Sequence, residues 1–134
     1  MSPSKPLRIE APISAGELID KITILEIKSE RIHDPAKQQN VAKELALLRQ
    51  IKVTAGLDTT QINVFADELR AINSALWDIE DAIRECEQRG DFGPRFVELA
   101  RSVYLTNDRR ATAKQRIDAA VGSDIAEQKS YRGM

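Results

Sequence analysis

The chain of 134 residues has one cysteine, one histidine and one tryptophan, and aromatic side chains make up only 4% of it. A lone cysteine, Cys86, excludes an intramolecular disulfide, and with His33 as the only histidine no Cys/His set for zinc can be assembled. No run approaches the ~18 apolar residues of a membrane-spanning helix. The opening MSPSKPLRIEAP also lacks the apolar centre of a secretory signal. Charge of one sign is missing as well: 20 basic and 21 acidic residues give a net charge of -1, so no global field draws the chain to nucleic acid or to an anionic membrane. There is no P-loop, no Gly-x-Gly-x-x-Gly and no Gly-x-Ser-x-Gly. These absences lead us to expect a soluble cytoplasmic protein that binds neither nucleic acid nor membrane.

What is present is charge, at 31% of residues, on a background of Leu, Ile and Ala, the composition of a helical bundle rather than a β-sandwich. The length is that of one domain, 1–134. Three prolines within residues 1–13 exclude a helix there, although Leu7, Ile9 and Ala11 alternate with polar residues, so this segment reads as an extended arm. Ser14-Ala-Gly-Glu17 matches a capping box, with Ile13 and Leu18 placed as a hydrophobic staple. The first helix is predicted from Ala15 to about Ile32, with a seam of Leu18, Ile22, Leu25, Ser29 and Ile32. A second apolar group, Ile19, Ile24 and Ile27, implies cover on two sides, centrally in the bundle or at an oligomer interface. Asp34-Pro35 starts a second helix to about Val53, with a face of Val41, Leu45, Leu48 and Ile51, and 55–60 is a loop.

The third helix is marked by Ile62, Phe65, Leu69, Ile72, Leu76, Ile79, Ile83 and Cys86, a coiled-coil-like 3-4 alternation that Gly90 ends. Gly93-Pro94 opens a fourth, to about Val121, and 123–134 reads as a tail. The expected fold is therefore all-α, an antiparallel bundle of about four main helices with the third and fourth longest. Self-association to a homo-oligomer is expected through exposed parts of the first helix or the Trp77 side.

The fourth helix carries the anomaly. Its seam is apolar at Phe96, Leu99 and Val103 and again at Ile117, Ala120 and Val121, yet the middle holds Thr106, Asn107, Arg110 and Lys114. An unpaired charge on a seam costs several kcal/mol, so each cation must meet a carboxylate, reach solvent along its stem, or receive an anion. Glu26 on the first helix and Glu80 or Glu87 on the third are the expected partners. Lys21, Arg101, Tyr104, Asn107, Asp108, Arg110 and Lys114 form the candidate ligand set, suited to a phosphorylated or carboxylated small molecule. Two acid pairs at i,i+3, Glu17/Asp20 and Asp78/Asp81, are the candidates for Mg²⁺. Neither His33 nor Cys86 has the setting of a catalytic group.

Three segments, ISAGELIDKITILEIKSERIH at 13–33, LWDIEDAIRECEQ at 76–88 and LARSVYLTNDRRATAKQ at 99–115, together with EQKSY at 127–131, resemble an uncharacterised bacterial family, a domain of unknown function. The resemblance spans nearly the whole chain and implies an all-α domain with no established activity or cofactor. Residues 68–85 are also faintly similar to all-α nucleoside-triphosphate pyrophosphohydrolases, but the Glu-x-x-Glu of those enzymes is missing. Residues 14–31 have a passing similarity to the first helix of all-α chorismate mutases. The leading expectation is a non-catalytic protein-interaction or oligomerisation module without a cofactor. The alternative is a site for an anionic small molecule, with Mg²⁺ in its enzymatic version.

Overall fold

The structure is a computed structural model that describes residues 6–125, 128 and 130. Four helices follow one another: α1 (Ala15–Arg31), α2 (Pro35–Thr54), α3 (Thr60–Arg89) and α4 (Pro94–Val121), with no strand among the described residues. Consecutive helices run antiparallel, and the fold is the expected all-α bundle. Among the described residues no helix is long and apolar enough to cross a membrane. The tail expected over 123–134 is described only in part, since residues 126, 127, 129 and 131–134 lie outside the described set.

The ends of the helices follow from local chemistry. Ser14, Asp34 and Thr59 each accept a hydrogen bond from a first-turn backbone N–H, of Glu17, Lys37 and Ile62 respectively, which satisfies donors that have no partner within the helix. Gly90 and Gly122 close α3 and α4 in the left-handed conformation, at φ of 67° in both, where a side chain would be strained. The capping box at α1 is half made. Ser14 plays its part, but the carboxylate of Glu17 bonds Lys114 instead of turning back to the serine.

The core assigns each helix its position. Leu18, Ile19, Ile22 and Leu25 of α1 are buried with Val41 and Leu45 of α2, Ile62, Leu69 and Ile72 of α3, and Ala113 and Ile117 of α4. Each fully buried Leu or Ile contributes about 1.5–3 kcal/mol. Both apolar groups on α1 are accommodated because α1 packs against all three other helices. Ile19 and Ile27 are nearly inaccessible, so of the two roles expected for them the central one is realised. Among the described residues α2 packs against α1 and reaches α3 through a Lys52–Asn63 hydrogen bond, and only Val41 and Leu45 are buried along it. Ile51, expected on its inner face, stays exposed.

Length mismatch shapes the rest. With 17 residues against 30 and 28, α1 is much the shorter, and at ~1.5 Å per residue it covers little more than half of the α3–α4 hairpin. Beyond its end, Ile79 and Ile83 of α3 and Phe96, Leu99 and Val103 of α4 are only half-buried, because two helices cannot enclose a seam as three can.

At the other end, α1 and α4 approach through Gly16. A Cβ built there would overlap the backbone carbonyl oxygen of Lys114 and crowd the Asp118 carboxylate. Gly16→Ala is expected to destabilise the fold by about 1–3 kcal/mol through overpacking, although alanine is the better helix former. Urea unfolding of the two proteins, compared at equal m-value, measures it.

Candidate functional site

The polar middle of α4 meets a polar edge of α1, and the two stripes match in antiparallel register. On α4 the groups are Arg110, Lys114 and Asp118, spaced by four; on α1 they are Gly16, Glu17 and Asp20. Asp118 Oδ1 accepts the backbone N–H of Gly16 at 2.7 Å, Lys114 Nζ donates to Glu17 Oε2 at 3.1 Å, and Arg110 donates through Nε to Asp20 Oδ1 at 2.9 Å and through Nη2 to Asp20 Oδ2. Asp20 is fully buried, and Lys114 and Asp118 nearly so. The two-pronged guanidinium–carboxylate fit is the strongest ion-pair geometry available to side chains. Asp118 adds a negative charge at the positive end of the α1 dipole while satisfying a first-turn N–H.

The third helix completes this arrangement with Asn73, whose Nδ2 donates to Asp20 Oδ1 at 2.9 Å and to Thr23 Oγ1 at 3.0 Å. Thr23 in turn donates to the carbonyl of Asp20. Every oxygen of the buried carboxylate therefore has a donor, as a charge at this depth requires.

The seam cations thus meet carboxylates, but not the expected ones. Glu26 pairs with Arg49 at 3.0 Å and lies 3.9 Å from Arg70, on the α2–α3 side, while Glu80 lies 3.9 Å from Arg84 on its own helix. The acids that answer α4 are Glu17 and Asp20, the pair set aside for Mg²⁺. Of the other pair, Asp78 bonds Arg31 and Asp81 stands on the rim of a cleft. Among the described residues no group of three or more His, Cys, Asp or Glu side chains is arranged to hold a metal ion.

That cleft, of about 400 Å³, opens where α1 runs out. Ile24 and Ile27 of α1 and Leu76 of α3 form its apolar wall; Trp77, Glu80, Asp81 and Arg84 lie along one face of α3, with Asn73 deeper; Asn107 and Arg110 enter from α4. Arg31 lies over the Trp77 ring, 5.8 Å from its centroid, and bonds Asp78 at the same time.

The sequence candidates separate between faces. Asn107 and Arg110 share the cleft, and Lys114 is one turn further along the same side. Arg101 and Tyr104 are exposed and do not line the cleft, and Arg101 stands half a turn around α4 from Arg110. Asp108 lies in a shallow outer groove with Glu68 and Arg116, and Lys21 faces solvent 3.8 Å from Glu17. The structure therefore does not gather these seven residues into one pocket. Asn73, Gly16 and Asp118 were missed from the sequence; Asp118 carried a signal, since it continues the i,i+4 spacing of Arg110 and Lys114.

Because Asp20 and Arg110 are each other's partners in a desolvated setting, losing one member is worse than losing both. Asp20→Leu or Arg110→Met alone should each cost about 3–5 kcal/mol, and the double variant should cost clearly less than the sum. Denaturant unfolding of the four proteins closes the cycle.

Searches of curated proteins and of solved structures returned no match. A protein-family model does match, over residues 8–134, a span that takes in the arm from Arg8, all four helices and every member of the buried network. The chain belongs to the family of unknown function DUF6165.

Proposed function

We propose that the protein is a non-catalytic interaction module whose first partner is a second copy of itself. One observation carries this reading: a broad apolar basin at the base of the bundle, about 760 Å³ in volume, flanked by exposed large side chains. Ile9 and Ile13 of the arm, Leu47 and Ile51 of α2 and Val121 of α4 all line it and are all exposed. A contiguous apolar surface of this kind is the mark of an association site rather than of scattered surface hydrophobes. It takes in the start of α1, through Ala15 and Leu18, and lies away from the Trp77 side.

The arm supplies the argument for a second copy. Residues 6–13 make no backbone hydrogen bond to any described residue, and Leu7 and Ile9 project into solvent at 87% and 80% exposure. An open backbone edge with alternating apolar residues is a ready template for strand pairing. The sequence between Pro6 and Pro12 is Leu-Arg-Ile-Glu-Ala, with every N–H present. Antiparallel pairing of two such arms about Ile9 sets Arg8 of each opposite Glu10 of the other and turns Leu7, Ile9 and Ala11 of both to one face. This is the self-complementary pattern that a two-fold interface demands.

Sedimentation at tens of micromolar should show a species of twice the 15.0 kDa chain mass. Arg8→Glu should weaken it at least about tenfold by placing like charges opposite each other, and adding Glu10→Arg should restore it. Ile51→Lys should also give monomer. A single 15.0 kDa species for the unaltered chain would sink the proposal.

A further inference from the structure

The outer face of α4 carries large apolar side chains on the side turned from the core. Val97, Tyr104 and Leu105 are each more than half exposed. At ~3.6 residues per turn they share an arc of about 100° with Arg101, Asp108 and Thr112. The arc is centred opposite the edge on which Arg110, Lys114 and Ile117 enter the bundle. Arg101 and Thr112 are exposed and Asp108 is half-buried. A solvated helix face has no need of three large apolar groups in one stripe, and such a stripe with charges set into it is the pattern of a helix that meets another helix.

The order of the charges indicates which helix. When a second α4 lies antiparallel to the first, with a two-fold axis passing between Tyr104 and Leu105, Tyr104 of each copy comes beside Leu105 of the other. Arg101 comes beside Asp108 and Val97 beside Thr112, and each of these contacts is made twice. Glu98 and Arg109 share one flank of the arc, where the same axis brings Glu98 of one copy within a turn of Arg109 of the other. A parallel pairing would set Arg101 against Arg101 and Asp108 against Asp108. The stripe is therefore complementary to its own reversed copy, the condition that a two-fold interface must meet.

We propose that the outer face of α4 pairs with the same face of a second copy, antiparallel about the midpoint of Tyr104 and Leu105. One helix face of about four turns buries less than the ~800 Å² per partner of a standard stable interface. The contact is thus weaker than the one made through the arm, and it joins arm-paired dimers to one another at higher concentration. It uses a different element and does not rest on the arm.

The Ile51→Lys chain, in which the arm-mediated contact is broken, isolates this interface. Monomeric at tens of micromolar, it should sediment as a dimer at several hundred micromolar. Arg101→Asp in that background should weaken the dimer at least about tenfold by facing Asp108 with a like charge, and adding Asp108→Arg should restore it. Disulfide trapping tests the register directly. Leu105→Cys stands next to the axis and should crosslink under mild oxidation, whereas the two copies of Thr112→Cys would lie ~22 Å apart along the helices and should not. The unaltered chain, whose Cys86 is buried, sets the background. Three results would overturn the proposal: an Ile51→Lys chain that stays monomeric at the highest concentration, crosslinking of Thr112→Cys as readily as of Leu105→Cys, or no restoration by the charge swap. Failure of the unaltered chain to dimerise at tens of micromolar would remove the arm-mediated contact and leave each of these outcomes as stated.

Discussion

The buried pairing of α1 with α4 is the constraint on which the other features depend. Three contacts in antiparallel register, Asp118 to the Gly16 N–H, Lys114 to Glu17 and Arg110 to Asp20, fix the sliding position of one helix against the other. An apolar seam alone tolerates slippage by a turn, since Leu and Ile side chains are nearly interchangeable in bulk. Charges at this depth do not tolerate it, because a one-turn shift would leave Asp20 and Arg110 desolvated and apart. We take register, rather than net stability, to be the contribution of this network.

The same register places the cleft beside Trp77. Holding α1 at the Gly16 end of α4 places its other end at Trp77, midway along the α3–α4 hairpin, and the cleft is the space left beyond it. Asn73 belongs both to the network and to the cleft, so the residue that steadies Asp20 also lines the space beyond α1. At the base, the arm leaves α1 directly from the Ser14 cap, next to Val121 and the exposed face of α2. One end of the bundle thus carries an exposed apolar surface, and the middle carries a small polar cleft.

Most of the helix boundaries were legible because they are written in local chemistry. Ser14, Asp34, Pro35, Gly90, Pro94 and Gly122 each act within a turn of their own position, and the seam of α3 repeats often enough to fix its period. The anomaly in α4 was legible for the same reason: a lysine and an arginine stand out against an apolar repeat. Its explanation was not, since helix periodicity states which residues share a face but not which helix stands opposite. Glu26 was as good a candidate on charge as Asp20, and only the crossing of α1 over α4 separates them. Asn73 left no trace at all, because one amide on a long seam looks like tolerated polarity until its partners are seen.

Sequence alone determined the helical class, the helix limits, the lack of an intramolecular disulfide, and the need for partners for Arg110 and Lys114. These are questions of composition and of contacts within a few residues, where backbone hydrogen bonding and side-chain spacing leave few alternatives. Tertiary structure decided which acids answer those cations, that Arg101 and Tyr104 point away from Arg110, that the apolar patch lies at the arm and α2, and that a cleft opens beside Trp77. Those outcomes depend on how far each helix extends past its neighbours and on a close backbone approach at Gly16. Packing sets such distances between residues remote in the chain, and no local pattern encodes them.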